Sequence, residues 1–212
     1  MIEDVRLERF PLREPFTISR GAKSEALVVV VTLREAEPLG RGEAVPYARY
    51  GETPEGVIES IRAGGVLQGA AANAVDLARV ELDARLAGRP VWEHLGLAPP
   101  APVSILYTIP IQDPDSTREA ASRRRTWPIL KLKLGRGDDL ERVRAAREGA
   151  PDARFIVDAN EGWNLAQLDA IAPALAELGV ELIEQPVPAA DDAALCDHEG
   201  PIPLCADESF RG

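Results

Sequence analysis

A chain of 212 residues is longer than the commonest single domain yet short of the roughly 250 residues that a complete (β/α)8 barrel needs. With 45% hydrophobic and 28% charged residues it has the make-up of a folded, core-building protein, so disorder is excluded as the default. A net charge of -11 argues against nucleic acid or an anionic membrane as a partner, because phosphate surfaces are held by clustered Lys and Arg, and it leaves a small molecule as the expected ligand.

The N-terminus MIEDVRLERF has acidic residues where a signal peptide would be basic, and no stretch approaches the ~18 apolar residues of a membrane span. Cys196 and Cys205 are too few for a disulfide scaffold and show no metal-binding spacing, so a cytoplasmic location is expected. Ile2–Leu12 alternates loosely and Ala26–Leu33 (ALVVVVTL) is a dense β-branched run; both read as strands, with a third over Gly40–Val45. Together they predict a small antiparallel sheet. Thr53-Pro54-Glu55 reads as an N-cap followed by proline at the first helical position. The segment Ala63–Ala72 reads as a connector, and Asn73–Leu86 as a helix with Val75, Leu77, Val80, Leu82 and Leu86 near helical spacing.

The prolines Pro99, Pro100 and Pro102 mark a boundary, which predicts a first domain over residues 1–98 and a second over 99–212. Beyond it, Val103–Ile109, Ile129–Leu134, Phe155–Val157, Leu182–Ile183 and Leu204–Ala206 are short apolar runs alternating with helical stretches, the rhythm of a parallel βα sheet or barrel. In the helical stretch Asp138–Glu148, Leu140 and Val143 form the apolar side and most of the charges read as solvated surface.

Four successive runs finish on ionisable residues: Lys131 and Lys133 in LKLKLG, Asp158 in FIVDAN, Glu184 in LIEQP and Asp207 in LCADES. They recur about every 25 residues, the length of one βα unit, which predicts that all project from the same C-terminal rim of a barrel. Three carboxylates gathered there repel one another unless a cation compensates, and hard oxygen donors in that number suit Mg²⁺. A lysine held near such an ion and partly desolvated serves as a base, and Lys133 is the candidate. Lys131 falls on the same strand face, with Leu132 on the other. The competing reading makes both lysines surface residues, or plain ion-pair partners of the carboxylates.

The combination of LKLKLG, VDANEGW, LIEQP and CADES resembles the metal-and-lysine signature of the enolase superfamily, and the upstream sheet, helices and AGRPVWEHLG resemble its capping domain. The resemblance implies an α/β fold: an α+β capping domain followed by an incomplete (β/α)-barrel with about five of its strands. It implies Mg²⁺ ligands at Asp158, Glu184 and Asp207, an acid/base catalyst at Lys133, and Lys131 as its electrostatic neighbour beside the substrate carboxylate. Asn160 would support the metal or substrate shell. Phe16-Thr17 with Arg20, and Tyr107-Thr108, look most like the dipeptide epimerases of the L-Ala-D/L-Glu type, with Arg20 and Thr108 as substrate contacts.

The implied chemistry is removal of a proton α to a carboxylate through an enediolate, on a dipeptide or an N-acyl amino acid. Sister activities carry the same half-reaction: N-acylamino-acid racemase, muconate-type cycloisomerase and o-succinylbenzoate synthase. The sequence stops at Gly212, before the strand on which this family carries its opposing lysine. A truncated chain is therefore expected, with poor turnover or a catalytically inactive metal-binding remnant as the outcome. An open parallel edge also invites homo-oligomerisation or instability. His94 and His198 lie outside the strand-end series and read as surface or packing residues.

Overall fold

The computed structural model describes residues 1–210, which form two compact units: Met1–Glu14 with Ser24–Pro102, and Pro15–Lys23 with Val103 onward. In the first unit, β1 (Ile2–Ile18, whose last residues belong to the second unit), β2 (Gly21–Arg34) and β3 (Leu39–Ala44) form a sheet in that order. β2 and β3 are antiparallel, with Val29 opposite Ala44 and Arg34 opposite Leu39. β1 and β2 thus run well beyond the predicted apolar runs. The helix α1 (Pro54–Ala63) starts as expected, with Thr53 Oγ1 accepting the Gly56 N–H at 3.1 Å.

The helix α2 (Gly69–Leu86) corrects the sequence reading in two ways. It begins inside the expected connector, where Glu52 Oε1 accepts the Ala70 N–H at 2.7 Å and satisfies one of the helix's free donors. Its buried face is Ala71, Ala74, Ala78 and Leu82, while Leu77 and Leu86 are exposed. The cause lies on β3: a Cβ on Gly40 or Gly42 would collide with the carbonyls of Ala78 and Ala74. Helix and strand backbones approach so closely that only the smallest residues fit between them. Val5, Val29, Val31, Leu33, Val57 and Ile61 complete this core, and a short helix α3 (Val91–His94) follows.

In the second unit five parallel strands lie side by side in chain order: β4 (Leu106–Ile109), β5 (Ile129–Lys133), β6 (Arg154–Asp158), β7 (Val180–Glu184) and β8 (Leu204–Cys205). The expected strand from Val103 starts only at Leu106, and Val103 and Ile105 are exposed. Helices α4 (Pro114–Arg123), α5 (Asp139–Gly149) and α6 (Leu165–Glu177) occupy the connections from β4 to β7, and a 3-10 stretch, Ala189–Leu195, leads into β8. Asp113 caps α4, and Asn164 with Gln167 forms a reciprocal capping box on α6. Leu130, Leu132, Phe155, Val157, Leu168, Leu175 and Ile183 make the core. The architecture is that of an α+β unit followed along the chain by part of a parallel βα barrel. Among the described residues no helix is long and apolar enough to cross a membrane.

Candidate metal and acid/base site

Strand register brings the chemistry together. Lys133 pairs with Asp158, and Asp158 with Glu184, so three adjacent strands present a lysine and two carboxylates at the same level. Asp207 follows two residues after β8. Asp158, Glu184 and Asp207 each offer a carboxylate oxygen within 4.8 Å of the others. Asp158 is fully buried, Glu184 half-buried and Asp207 exposed.

On β5 the alternation is strict: Leu130 and Leu132 enter the core while Lys131 and Lys133 turn to the carboxylates. Lys133 Nζ lies 2.5 Å from Asp158 Oδ2, and Lys131 Nζ lies 2.9 Å from the same oxygen and 2.6 Å from Glu184 Oε2. Burial pushes the Asp158 carboxyl up, but the Lys133 charge and the bonds from both lysines outweigh it and hold it below its ordinary value. For Lys131, burial pulls the ammonium down, and its bonds to Asp158 and Glu184 reverse this and raise it. Glu184 goes the other way: burial and the neighbouring Asp158 and Asp207 charges push it up despite the bond from Lys131. Two ammonium groups thus already sit among three carboxylates, and Glu184 remains under-compensated.

Asn160 is buried within this cluster. Its backbone N–H donates to Asp158 Oδ1 at 2.9 Å, and its side-chain amide donates to Glu208 Oε1 at 3.2 Å. Thr108 is half-buried and lies opposite Lys131 in register. Tyr107, on the alternate face, packs edge-on against Trp127 at 5.3 Å beneath the Arg124 guanidinium. Arg20 is bound by Glu208, by Glu161 and by the Asn160 carbonyl, all within the second unit. His198 pairs with Asp169 at 3.2 Å, apart from the cluster.

Several supporting residues carry no signal in the local sequence. Gln185 Oε1 accepts the N–H groups of Asp207 and Ser209 at 2.9 and 3.0 Å, which shapes the turn carrying Asp207. Asp139 and Arg142 are buried, unlike the other charges of α5. The Asp139 carboxylate accepts Trp163 Nε1–H at 2.8 Å and the Gly135 N–H at 3.0 Å, and Arg142 binds Asp139 and the carbonyls of Gln112 and Gly137. This ties the end of the lysine strand to the turn after β6. Gly135, with φ +97, faces Gly162 so closely that a side chain on either would strike the other's backbone. Asn160, Glu161 and Gln185 all hold left-handed φ angles of 45, 66 and 35, a clustering of backbone strain of the kind found at functional sites.

The donor set fits a hard divalent cation: three carboxylates converge, and Glu208 Oε2 and Asn160 Oδ1 are buried without partners nearby. The sequence profile of the enolase C-terminal domain-like family matches residues 115–212. L-Ala-D/L-Glu epimerase from Escherichia coli (strain K12) is 41% identical, over 95% of this chain and 68% of that protein. Among solved structures, an enolase family member from Agrobacterium tumefaciens with homology to dipeptide epimerases, with bound sodium and L-Ala-L-Glu, is 43% identical. It superposes with a TM-score of 0.93, covering 98% of this chain and 68% of that one. The dipeptide epimerase from Enterococcus faecalis V583, complexed with Mg and L-Leu-L-Tyr, is 28% identical with a TM-score of 0.90, covering 99% and 68%. The chain therefore spans about two thirds of the length of these relatives.

Proposed function

Because the chain belongs to the enolase superfamily and to its dipeptide-epimerase branch, we propose that the cluster is the metal-and-base half of a site that epimerises a dipeptide at the carbon α to its carboxylate. The observation that carries this reading is the strand-end constellation itself, Lys133 on Asp158 with Glu184 and Asp207 alongside. Asp158, Glu184 and Asp207 would hold Mg²⁺. When bound, that ion acts as a Lewis acid that stabilises the enediolate formed as the weakly acidic α proton leaves.

The chain's own residues do the rest. Lys133 takes the α proton on its side of the substrate, and the strand pairing that places it beside Asp158 fixes the approach. Lys131, held beside Lys133 by Asp158 and Glu184, offsets the substrate carboxylate's charge. Thr108, opposite Lys131 in register, and Asn160, bonded to Asp158, flank the lysine strand on its two sides. Return of a proton to the other face needs a second acid/base, which the resemblance assigns to the strand following β8.

Incubating a form of the protein that extends through the strand following β8 with Mg²⁺ and L-Ala-L-Glu in D2O tests the reading. Deuterium should enter at the glutamate α carbon with formation of L-Ala-D-Glu, and Lys133→Ala should slow exchange about 10²–10⁴-fold. An acidic dipeptide should react faster than an N-acylated amino acid. A reversed preference would move the assignment to a racemase, and no exchange on either class would sink it.

A further inference from the structure

The segment Pro15–Lys23 comes from the start of the chain but folds with the second unit, where it is tied to successive strand ends. The Ile111 N–H donates to Thr17 O at 2.9 Å, just beyond β4. Arg136 Nε, beyond β5, donates to Ser19 O at 3.0 Å. Beyond β6, the Asn160 carbonyl accepts Ser19 Oγ–H at 2.7 Å and Arg20 Nη1–H at 2.8 Å. The same guanidinium reaches Glu161 Oε2 at 3.1 Å and, beyond β8, Glu208 Oε1 at 2.6 Å.

The last contact is the strongest kind on offer, a charge-assisted bond to a carboxylate whose side chain is 3% exposed. Glu208 directly follows Asp207, and Asn160 joins Glu208 Oε1 to Asp158 Oδ1 through its side chain and backbone. A substrate carboxylate that took Arg20 for itself would leave the buried Glu208 charge without a cation, held only by the Asn160 amide on Oε1 and by nothing on Oε2. We propose that Arg20 and Glu208 form a latch that holds residues 15–23 against the strand ends carrying Asp158 and Asp207. Glu208 is then a positioning residue for this loop, and Arg20 is a structural arm instead of the substrate contact that the resemblance implies. The latch stands on the ion pairs; its bearing on substrate choice rests on the cluster being the catalytic site.

Hydrogen exchange followed by mass spectrometry on the 212-residue chain separates the outcomes. Glu208→Gln and Arg20→Gln should each speed exchange across residues 15–23 by about tenfold or more. The double variant should go no further than the larger single effect, and Arg20→Lys should stay within about threefold of the parent. Unchanged β5–β7 peptides report that the unit remains folded. If Glu208→Gln also loosens those strands, the Arg20 variants decide. Unaltered protection of residues 15–23 in Arg20→Gln, or additive effects in the double variant, overturns the latch. In turnover assays on the form that extends through the strand following β8, Arg20→Gln should raise KM for acidic and neutral dipeptides by the same factor. A loss confined to acidic dipeptides restores the clamp and overturns this assignment. Absence of turnover with every substrate would refute the proposed function and leave the exchange result to judge the latch.

Discussion

Helix α2 lies on β3 with backbone against backbone, Ala78 over Gly40 and Ala74 over Gly42, and Val29, Val31, Leu33 and Ile61 join the same core. The ends of β5, β6 and β7 face one another instead through two ammonium groups and two carboxylates, with Asp158 fully buried among them. The first arrangement gains stability from close packing and carries no ionisable chemistry. The second places desolvated charges side by side, an arrangement that adds little net stability and is retained for what it does. Two regions of one chain thus divide the tasks of stability and chemistry.

The sharpest way to break that contrast is Asp158→Ala. It leaves Lys133 and Lys131 without their shared carboxylate and should cost the second unit about 3–5 kcal/mol. Calorimetric titration should also show Mg²⁺ affinity falling at least about 100-fold. Full stability with intact metal binding would make the cluster incidental. Next in size is Gly42→Ala in the first unit, where the new methyl group meets the Ala74 carbonyl and the Ala78 N–H, both backbone and unable to yield. We expect a loss of about 3 kcal/mol by urea denaturation, with α2 amides exchanging faster and Mg²⁺ affinity unchanged.

The charged region should also differ in its response to pH. Asp158, held below its ordinary 3.8, contributes stability that is present above that value and lost as pH falls through its lower folded pKa. Glu184, raised above 4.5, has the opposite sign: stability declines as pH climbs from 4.5 through its folded pKa, because the fold disfavours its ionised form. Since a metal takes the ionised form, Mg²⁺ affinity should rise across that same interval and level once Glu184 has lost its proton; titrations at stepped pH check this, and a flat profile contradicts it. The smallest effect is expected at Thr53→Ala, where loss of the cap bond to the Gly56 N–H should cost the first unit about 1 kcal/mol in thermal unfolding.

The strand ends were legible because a βα unit has a nearly constant length, so Lys133, Asp158, Glu184 and Asp207 announce a shared rim by spacing alone. The cap on α1 was legible for a similar reason, since Thr53 and Pro54 act within one turn. The face of α2 was not. Apolar periodicity favours the large residues Leu77 and Leu86, whereas Gly40 and Gly42 of β3 let the backbones meet at Ala74, Ala78 and Leu82 and so turn that face inward. Asp139 looked like another solvated charge on α5, because its partner Trp163 lies 24 residues away. The resemblance made Arg20 a substrate contact, and nothing near it in the sequence pointed to Glu208, which is brought to it only by the fold.

By itself, then, the sequence determined those features that act over one element or one repeat: the strands, the caps, the order of the βα units and the residues that end them. Tertiary structure alone decided which helix face is buried, which charges leave water and which carboxylate holds Arg20. Local periodicity constrains a residue against its neighbours in the chain, but burial and ion pairing depend on distances between segments, and those exist only once the backbone has closed.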